Sequence, residues 1–429
     1  MRDRIEERSA RSLWNVFGRG AAALAVCAAL GLAGCKDKNE ATSGASATQG
    51  NGSVASTTSG GSAGDSGTLV IGEYGSFTGA QADFGKQTDS GIKQAVDEVN
   101  KAGGLDVGGK KMQVKLETED DASDATKADT AVKRLIDEKN VTAVLGEVAS
   151  ACSLSGGKVC QEKGVPMISP SSTNVAVTQG RDYVFRVCFL DSYQAAVVAR
   201  FIRDGLKKTN VAVFTNKGQS YSVGFSDEFK KAFTKYGGKI VMEQSYGDKD
   251  QDYRGQLTAM KAANPDAILV PGYYSDAASI IKQARDTGIT IPILGGDGWS
   301  SAQLLTIGGP SVNGCYFSDH MSVKDPRPTV QDFVKGYQAA YKSEPTSLSA
   351  LGYDAAKILF DSISRAKSID KKAIRDAIAQ TKDFDGVSGK ITIDENRNAK
   401  KSAVIIAVKN NAFDYAATIP NPDEPMPIQ

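Results

Sequence analysis

From Thr68 onward, short apolar runs alternate with segments whose apolar residues recur every three or four positions, the pattern of buried strands interleaved with amphipathic helices. Leu69-Val70-Ile71 predicts a strand, and Ile92, Ala95, Val96 and Val99 predict the helix after it, stopped by Gly103-Gly104. Met112 to Leu116 alternates as a strand. Ala128, Ala131, Val132, Leu135 and Ile136 mark a helix, Val141 to Leu145 a buried strand, Ser153 to Lys163 a helix and Met167-Ile168 another strand. The cycle restarts after Asp191 with a helix through Val197, Phe201 and Leu206, a strand at Val211 to Phe214, and a helix through Phe225, Phe229, Ala232 and Phe233. Strands follow at Ile240 to Met242, Ala267 to Val270, Ile291 to Leu294 and Gly314 to Ser318. Val330, Phe333, Val334, Tyr337 and Tyr341 then open a helical run to about Lys382, expected to pack back on the first lobe. Ile391-Thr392-Ile393 and Ala403 to Val408 are expected to return to the second. The fold class is therefore α/β, two lobes, each a mostly parallel sheet flanked by helices. Thr68 to Gln429 is also longer than the roughly 250–300 residues one core supports.

In open α/β sheets ligands bind beyond the carboxyl ends of the strands. Here those loops carry Leu145-Gly146 leading to Ser150, then Ser169-Pro170-Ser171-Ser172-Thr173-Asn174, Gly272-Tyr273-Tyr274-Ser275 and Gly295-Gly296-Asp297-Gly298. Hydroxyls, backbone N–H groups and one acid suit a zwitterion better than a phosphate.

The first residues differ in kind. Arg2, Arg4, Arg8, Arg11 and Arg19 precede an uncharged run from Gly20 that closes on Leu32-Ala33-Gly34-Cys35. This predicts a lipoprotein signal peptide over residues 1–34, with lipidation at Cys35 and an extracytoplasmic, membrane-anchored product. Residues 35–67, rich in Gly, Ser, Ala and Thr, predict a flexible tether with a reach of roughly 30 Å.

Charge adds little. The formal net charge is +1 with signs interspersed, so nucleic acid is not an expected partner. The single histidine, His320, must serve any Ser-His-Asp triad, yet no Gly-x-Ser-x-Gly elbow exists; it is expected to be structural. No Cys-x-x-Cys or His-Glu-x-x-His occurs, so neither a metal nor a cofactor is expected. Gly104 to Lys110 approaches a phosphate-binding loop, but Lys111 stands where Ser or Thr is needed and the segment follows a helix. Ser155-Gly-Gly-Lys158 has β-lactamase spacing without an accompanying Lys-Thr-Gly. No enzyme is expected. Among Cys152, Cys160, Cys188 and Cys315, an oxidising compartment favours pairing. Cys152 and Cys160 are about 12 Å apart if helical, too far to bridge, so Cys160–Cys188 is the leading candidate.

Gly72-Glu-Tyr-Gly-Ser-Phe-Thr-Gly-Ala-Gln-Ala-Asp-Phe-Gly85, Gly146-Glu-Val-Ala-Ser150, Pro166 to Asn174, Tyr183 to Asp191 and Gly272-Tyr-Tyr-Ser275 together resemble the branched-chain amino-acid (Leu/Ile/Val) binding proteins of ABC transporters. The likeness runs from about Leu69 to Val408. It implies a type I periplasmic-binding-protein fold with a three-crossing hinge near Leu190, Asp319 to Met321 and Gly386 to Asp394, closing by hinge motion. Lobe I is then 68–190 plus 321–386, and lobe II 191–320 plus 387–429. It also implies a monomeric receptor that passes an amino acid to permease subunits. By position, Ser150 and Thr173 donate to the ligand carboxylate and the backbone around Ser171 and Ser172 contacts carboxylate or ammonium. Asp297 pairs with the ammonium, while Phe84, Tyr221 and Tyr273 wall the cleft. Relatives often carry Glu where this chain has Asp297, and bridge two cysteines at positions that here are Ser123 and Ala149. The same fold also serves two-protein sensors, and binds urea, amides, short peptides or aromatic acids.

Overall fold

The computed structural model describes residues 67–419. The signal peptide, Cys35 and nearly all of the tether lie outside that range. The first lobe starts with β1 (Thr68–Gly75), α1 (Ala82–Lys101), β2 (Leu105–Val107), β3 (Lys110–Asp120), α2 (Ala125–Asp137), β4 (Val144–Leu145), α3 (Ser150–Lys163), β5 (Met167–Ser169) and β6 (Val184–Arg186). These strands form one sheet in the order β2-β3-β1-β4-β5-β6, parallel except for the β2–β3 hairpin. The turn of that hairpin contains Gly108 and Gly109, so the phosphate-loop look-alike is a strand connection. Helix α2 shows how the local sequence acts. The Asp124 side chain accepts from the Thr126 and Lys127 N–H groups, capping the helix, and Ala128, Ala131, Val132, Leu135 and Ile136 all bury.

The second lobe runs α4 (Asp191–Arg200), β7 (Asn210–Asn216), α5 (Ser220–Lys235), β8 (Lys239–Tyr246), α6 (Arg254–Ala262), β9 (Ala267–Leu269), α7 (Tyr274–Asp286), β10 (Ile293–Gly295), α8 (Ala302–Gly308) and β11 (Tyr316–Asp319). The chain then returns through α9 (Pro328–Tyr341), α10 (Ser347–Ala366) and α11 (Lys371–Ala379). These pack on the first lobe. A Cβ on Gly91 of α1 would lie 1.9 Å from the Ser349 carbonyl, and one on Gly352 of α10 would lie 2.4 Å from that of Thr88. The two helices therefore touch backbone to backbone, and only glycine fits at the crossing.

The end of the chain departs from expectation. β12 (Phe384–Gly386), β13 (Gly389–Ile393) and β14 (Ala399–Lys400) form their own three-stranded ribbon, whereas β15 (Ala403–Lys409) and β16 (Ala412–Ile419) complete the second sheet. Its order is β16-β15-β11-β10-β9-β7-β8. Ile391-Thr392-Ile393 therefore does not join the second sheet. Asp354 of α10 accepts from the Val387 and Ser388 N–H groups. The Ile393 N–H donates to Thr381 and the Arg186 N–H to Arg397, so the ribbon stays with the first lobe through Lys400. The third crossing is at Lys400–Ala403, later than Gly386 to Asp394.

Cys152, Cys160, Cys188 and Cys315 are all buried and free, which corrects the Cys160–Cys188 pairing. Two thiols have other partners: Cys188 Sγ donates to the Ser172 carbonyl at 3.3 Å, and Cys315 Sγ accepts from Arg285 Nη2 at 3.6 Å. No described helix is long and apolar enough to cross a membrane.

Candidate functional site

The carboxyl ends of both sheets face one cleft, and the two walls are tied together across it. Ser301 Oγ donates to Asp83 Oδ2 at 2.5 Å, Asn174 Nδ2 to the Ser220 carbonyl at 2.7 Å, and the Tyr274 hydroxyl to the Ala80 carbonyl at 3.2 Å. The lobes are closed. Between them the walls leave a narrow cavity of about 10 Å³ lined by Phe84, Val148, Ser171, Thr173, Tyr221, Tyr273, Asp297, Gly298 and Leu348.

The first-lobe wall is built on Glu147. Gly146 has φ +132° and a Cβ there would lie 2.2 Å from the Tyr74 carbonyl, so glycine lets the chain turn inward after β4. Glu147 Oε1 accepts from the N–H and hydroxyl of Ser76, both at 3.0 Å, and Oε2 accepts from the Ala149 N–H. Burial pushes its carboxyl well above the usual range. The Glu147 carbonyl lies 2.8 Å from Ser169 Oγ and 3.0 Å from Ser172 Oγ. Arg186 holds the other side of the loop, donating to the carbonyls of Ser172 at 2.6 Å and Asn174 at 2.8 Å.

Side chains alternate along this extended stretch. Ser172 points inward, its hydroxyl beside Val148 O and Ser153 Oγ and its N–H on Ser169 Oγ, so it is scaffold and not a wall of the cleft. Ser171 and Thr173 point the other way and line the cavity. Ser171 Oγ and Thr173 Oγ1 are buried with no hydrogen-bond partner among the described residues. Ser150 opens α3, and its N–H faces the Tyr273 hydroxyl across the cleft; its side chain is not part of the cavity lining.

The second-lobe wall is aromatic with one acid. Tyr221 and Tyr273 stack at 5.2 Å between ring centroids, and Phe84 meets Tyr273 edge-on at 5.9 Å. The Gly296–Gly298 turn fits under them. A Cβ on Gly296 would lie 2.3 Å from the Phe225 ring, and one on Gly298 2.7 Å from the Gly272 carbonyl. Gln194 Oε1 accepts from the Asp297 N–H at 3.3 Å, and the Tyr221 hydroxyl from the Gly298 N–H at 3.2 Å. Asp297 Oδ2 lies 3.0 Å from His320 Nε2, while Oδ1 is buried with no hydrogen-bond partner among the described residues. Burial pushes the Asp297 carboxyl up to about 7.

Six of the eight expected ligand-binding residues thus line one cavity: Phe84, Ser171, Thr173, Tyr221, Tyr273 and Asp297. Val148 and Leu348 complete its apolar side. Sequence reading gave His320 a structural role only and assigned none to Arg186 or Gln194, although Gln194 meets Asp297 and Ser318 more than a hundred positions away. A larger groove of about 720 Å³ opens beside the crossings. Several of its charges are paired with one another, Lys324 with Asp414 and Arg327 with Asp325 and Asp385. The cleft between the lobes instead presents, among the described residues, two hydroxyls without partners on one wall and a carboxylate oxygen without one on the other. That arrangement suits a small molecule with an anionic end, a cationic end and an apolar body.

Comparison with known proteins agrees. A family model described as periplasmic binding protein matches residues 68–412. The chain is 30% identical over 330 residues to a Leu/Ile/Val-binding protein homolog of Brucella melitensis, covering 76% of this chain and 87% of that one. It is similar to the crystal structure of a leucine binding protein, LivK, from Thermotoga maritima, with TM-score 0.79 and 42% identity over 83% of this chain and 99% of that chain. It also resembles the branched-chain amino acid transporter substrate binding protein LivJ from Streptococcus pneumoniae, solved in complex with isoleucine. There the TM-score is 0.77 and the identity 31%, over 82% of this chain and 99% of that chain.

Proposed function

The chain belongs to the periplasmic binding protein family, and from that premise we propose that it captures a neutral amino acid, branched-chain foremost, and delivers it to the permease of an ABC transporter. One observation carries the ligand class. Ser171 Oγ and Thr173 Oγ1 on one wall and Asp297 Oδ1 on the other are buried, have no hydrogen-bond partner among the described residues and line the same cleft. Buried polar atoms are seldom left unpaired in proteins, and a bound α-amino acid supplies both partners, its carboxylate to the hydroxyls and its ammonium to Asp297. Val148, Leu348 and Phe84 offer an aliphatic side chain apolar contact. The relatives named for leucine, isoleucine and valine support the same ligand class.

Closure supplies the signal to the transporter: with both lobes engaged the molecule presents one surface made of two lobes, which separates on opening. In this reading the protein acts as a monomer, held at a membrane by acylated Cys35 through the tether behind it. Cys35→Ala is expected to abolish membrane fractionation or leave the precursor unprocessed; a Cys35→Ala protein of mature mass still in the membrane fraction contradicts the anchor. The ligand reading is tested by displacement of a fluorescent probe or by calorimetry with L-leucine, L-isoleucine and L-valine beside urea, acetamide and benzoate. Saturable binding of the amino acids supports it, and binding confined to the second group overturns it.

A further inference from the structure

The chain's one histidine stands directly behind the acid of the cleft. His320 follows β11, where the chain leaves the second sheet, and is buried. One face of its ring stacks on Phe189 at 3.8 Å between centroids. Its backbone N–H donates to Asp319 Oδ1 at 2.8 Å, Nε2 lies 3.0 Å from Asp297 Oδ2, and Nδ1 has no hydrogen-bond partner among the described residues. Orphaned buried N–H groups are rarer than under-used acceptors. The ring proton therefore belongs on Nε2, donating to Asp297. This pins Oδ2 and leaves Oδ1 for the cavity.

The groups around the pair set its charge. Asp191 comes from the start of α4, Asp319 from the end of β11, Tyr221 from α5 and Tyr273 from the loop before α7. Cys188 and Lys401 come from the first and third crossings. Lys401 is the cation of this set, and its Nζ is engaged by Ser388 Oγ at 2.5 Å. Burial pushes Asp191, Asp297 and Asp319 each up to about 7. Burial, with Lys401 nearby, pushes His320 well below the usual histidine range. A neutral imidazole can hold the acid without competing with an incoming ammonium, which an imidazolium would repel.

We infer that His320 is a positioning residue for ammonium recognition, and that the Asp297–His320 pair gives up one proton when an ammonium enters the cleft. The inference rests on the amino-acid reading above. In balance, the carboxylic acid of the free protein and the charged ammonium become a carboxylate–ammonium pair, and one proton leaves to solvent. The ligand selects the ionised acid, so capture strengthens as pH rises through about 7 and weakens as it falls.

The experiment uses the full chain without a histidine tag, so that ¹⁵N labelling shows one imidazole. NMR is expected to show a neutral ring protonated at Nε2 from pH 6 to pH 8. Calorimetry with L-leucine, in buffers of different ionisation enthalpy, is expected to show close to one proton released at pH 6 and almost none at pH 8. Affinity should be about tenfold weaker at pH 6 than at pH 8. His320→Gln, which keeps an N–H donor, should retain affinity within about threefold at pH 8. His320→Leu should lose about tenfold or more and move the midpoint of the pH profile upward. An imidazolium at pH 7, or equal affinity at both pH values with no proton release, overturns the inference while leaving the amino-acid reading intact. Absence of binding by every amino acid at any pH overturns that reading and this inference with it. The wild-type measurements decide the matter even where His320→Leu does not fold.

Discussion

Asp297→Asn removes a charge from the cleft and almost nothing else. The amide keeps the shape of the carboxyl, and its oxygen can still accept from His320 Nε2, so the Gly296–Gly298 turn keeps its support from Gln194 and Tyr221. What is lost is the counter-charge for a buried ammonium. Breaking such a buried pair costs about 3–5 kcal/mol, or roughly a hundredfold to several thousandfold in affinity. That figure applies at pH 8. The wild-type carboxyl is held at about 7 by burial, so at pH 6 it must give up a proton to bind. The gap between wild type and variant should then narrow by about 1.4 kcal/mol, or tenfold. Calorimetry with L-leucine at pH 8 and pH 6 measures both quantities, and the melting temperature of the ligand-free variant should not fall. Affinity of Asp297→Asn within about threefold of wild type at pH 8 refutes the ammonium role.

Arg186→Met takes the charged donor from the Ser172 and Asn174 carbonyls, leaving them only the Cys188 Sγ and Val177 N–H contacts. At about 1.5–3 kcal/mol for a hydrogen bond to a charged group, both melting temperature and L-leucine affinity should drop; an unchanged pair of values contradicts the loop-clamp role. Gly91→Ala drives a methyl into the Ser349 carbonyl at 1.9 Å, so α1 and α10 must separate, and denaturant unfolding should show a loss of about 1–3 kcal/mol. Asp191, Asp297 and Asp319 are raised to about 7 from an ordinary 3.8, so their stabilising share is fully present below 3.8 and is lost as pH rises through 7. His320, depressed by burial, opposes them below its ordinary 6.5. The carboxyls outnumber it, so the ligand-free protein should melt higher at pH 6 than at pH 8; scanning calorimetry giving the reverse order contradicts the buried-acid account.

The lobes were legible because their strands are short, buried on both faces and therefore continuous apolar runs, as in Val144-Leu145 and Met167-Ile168, separated by helices with a clear apolar stripe. The end of the chain was not. Ile391 and Ile393 look like any strand, and nothing near them says that their neighbours bond to Asp354, Thr381 and Arg186. In the cleft, loop position at the strand ends brought out Ser171, Thr173, Tyr273 and Asp297, and the alternation that turns Ser172 inward appears only once the backbone is seen to be extended. Ser169, Ser171 and Ser172 are chemically alike, and their partners decide which of them is scaffold. His320 stood out as the one histidine, but the sequence placed it only as a structural residue. Its role depends on a 3.0 Å approach to Asp297, 23 positions back in the chain.

The most direct test of the whole account is to strip the protein of ligand by unfolding and refolding, then weigh it by native mass spectrometry with each of the common amino acids. A one-to-one complex with leucine, isoleucine or valine that survives competition from charged amino acids is the predicted result. A refolded, fully closed-competent protein that takes up no amino acid contradicts it.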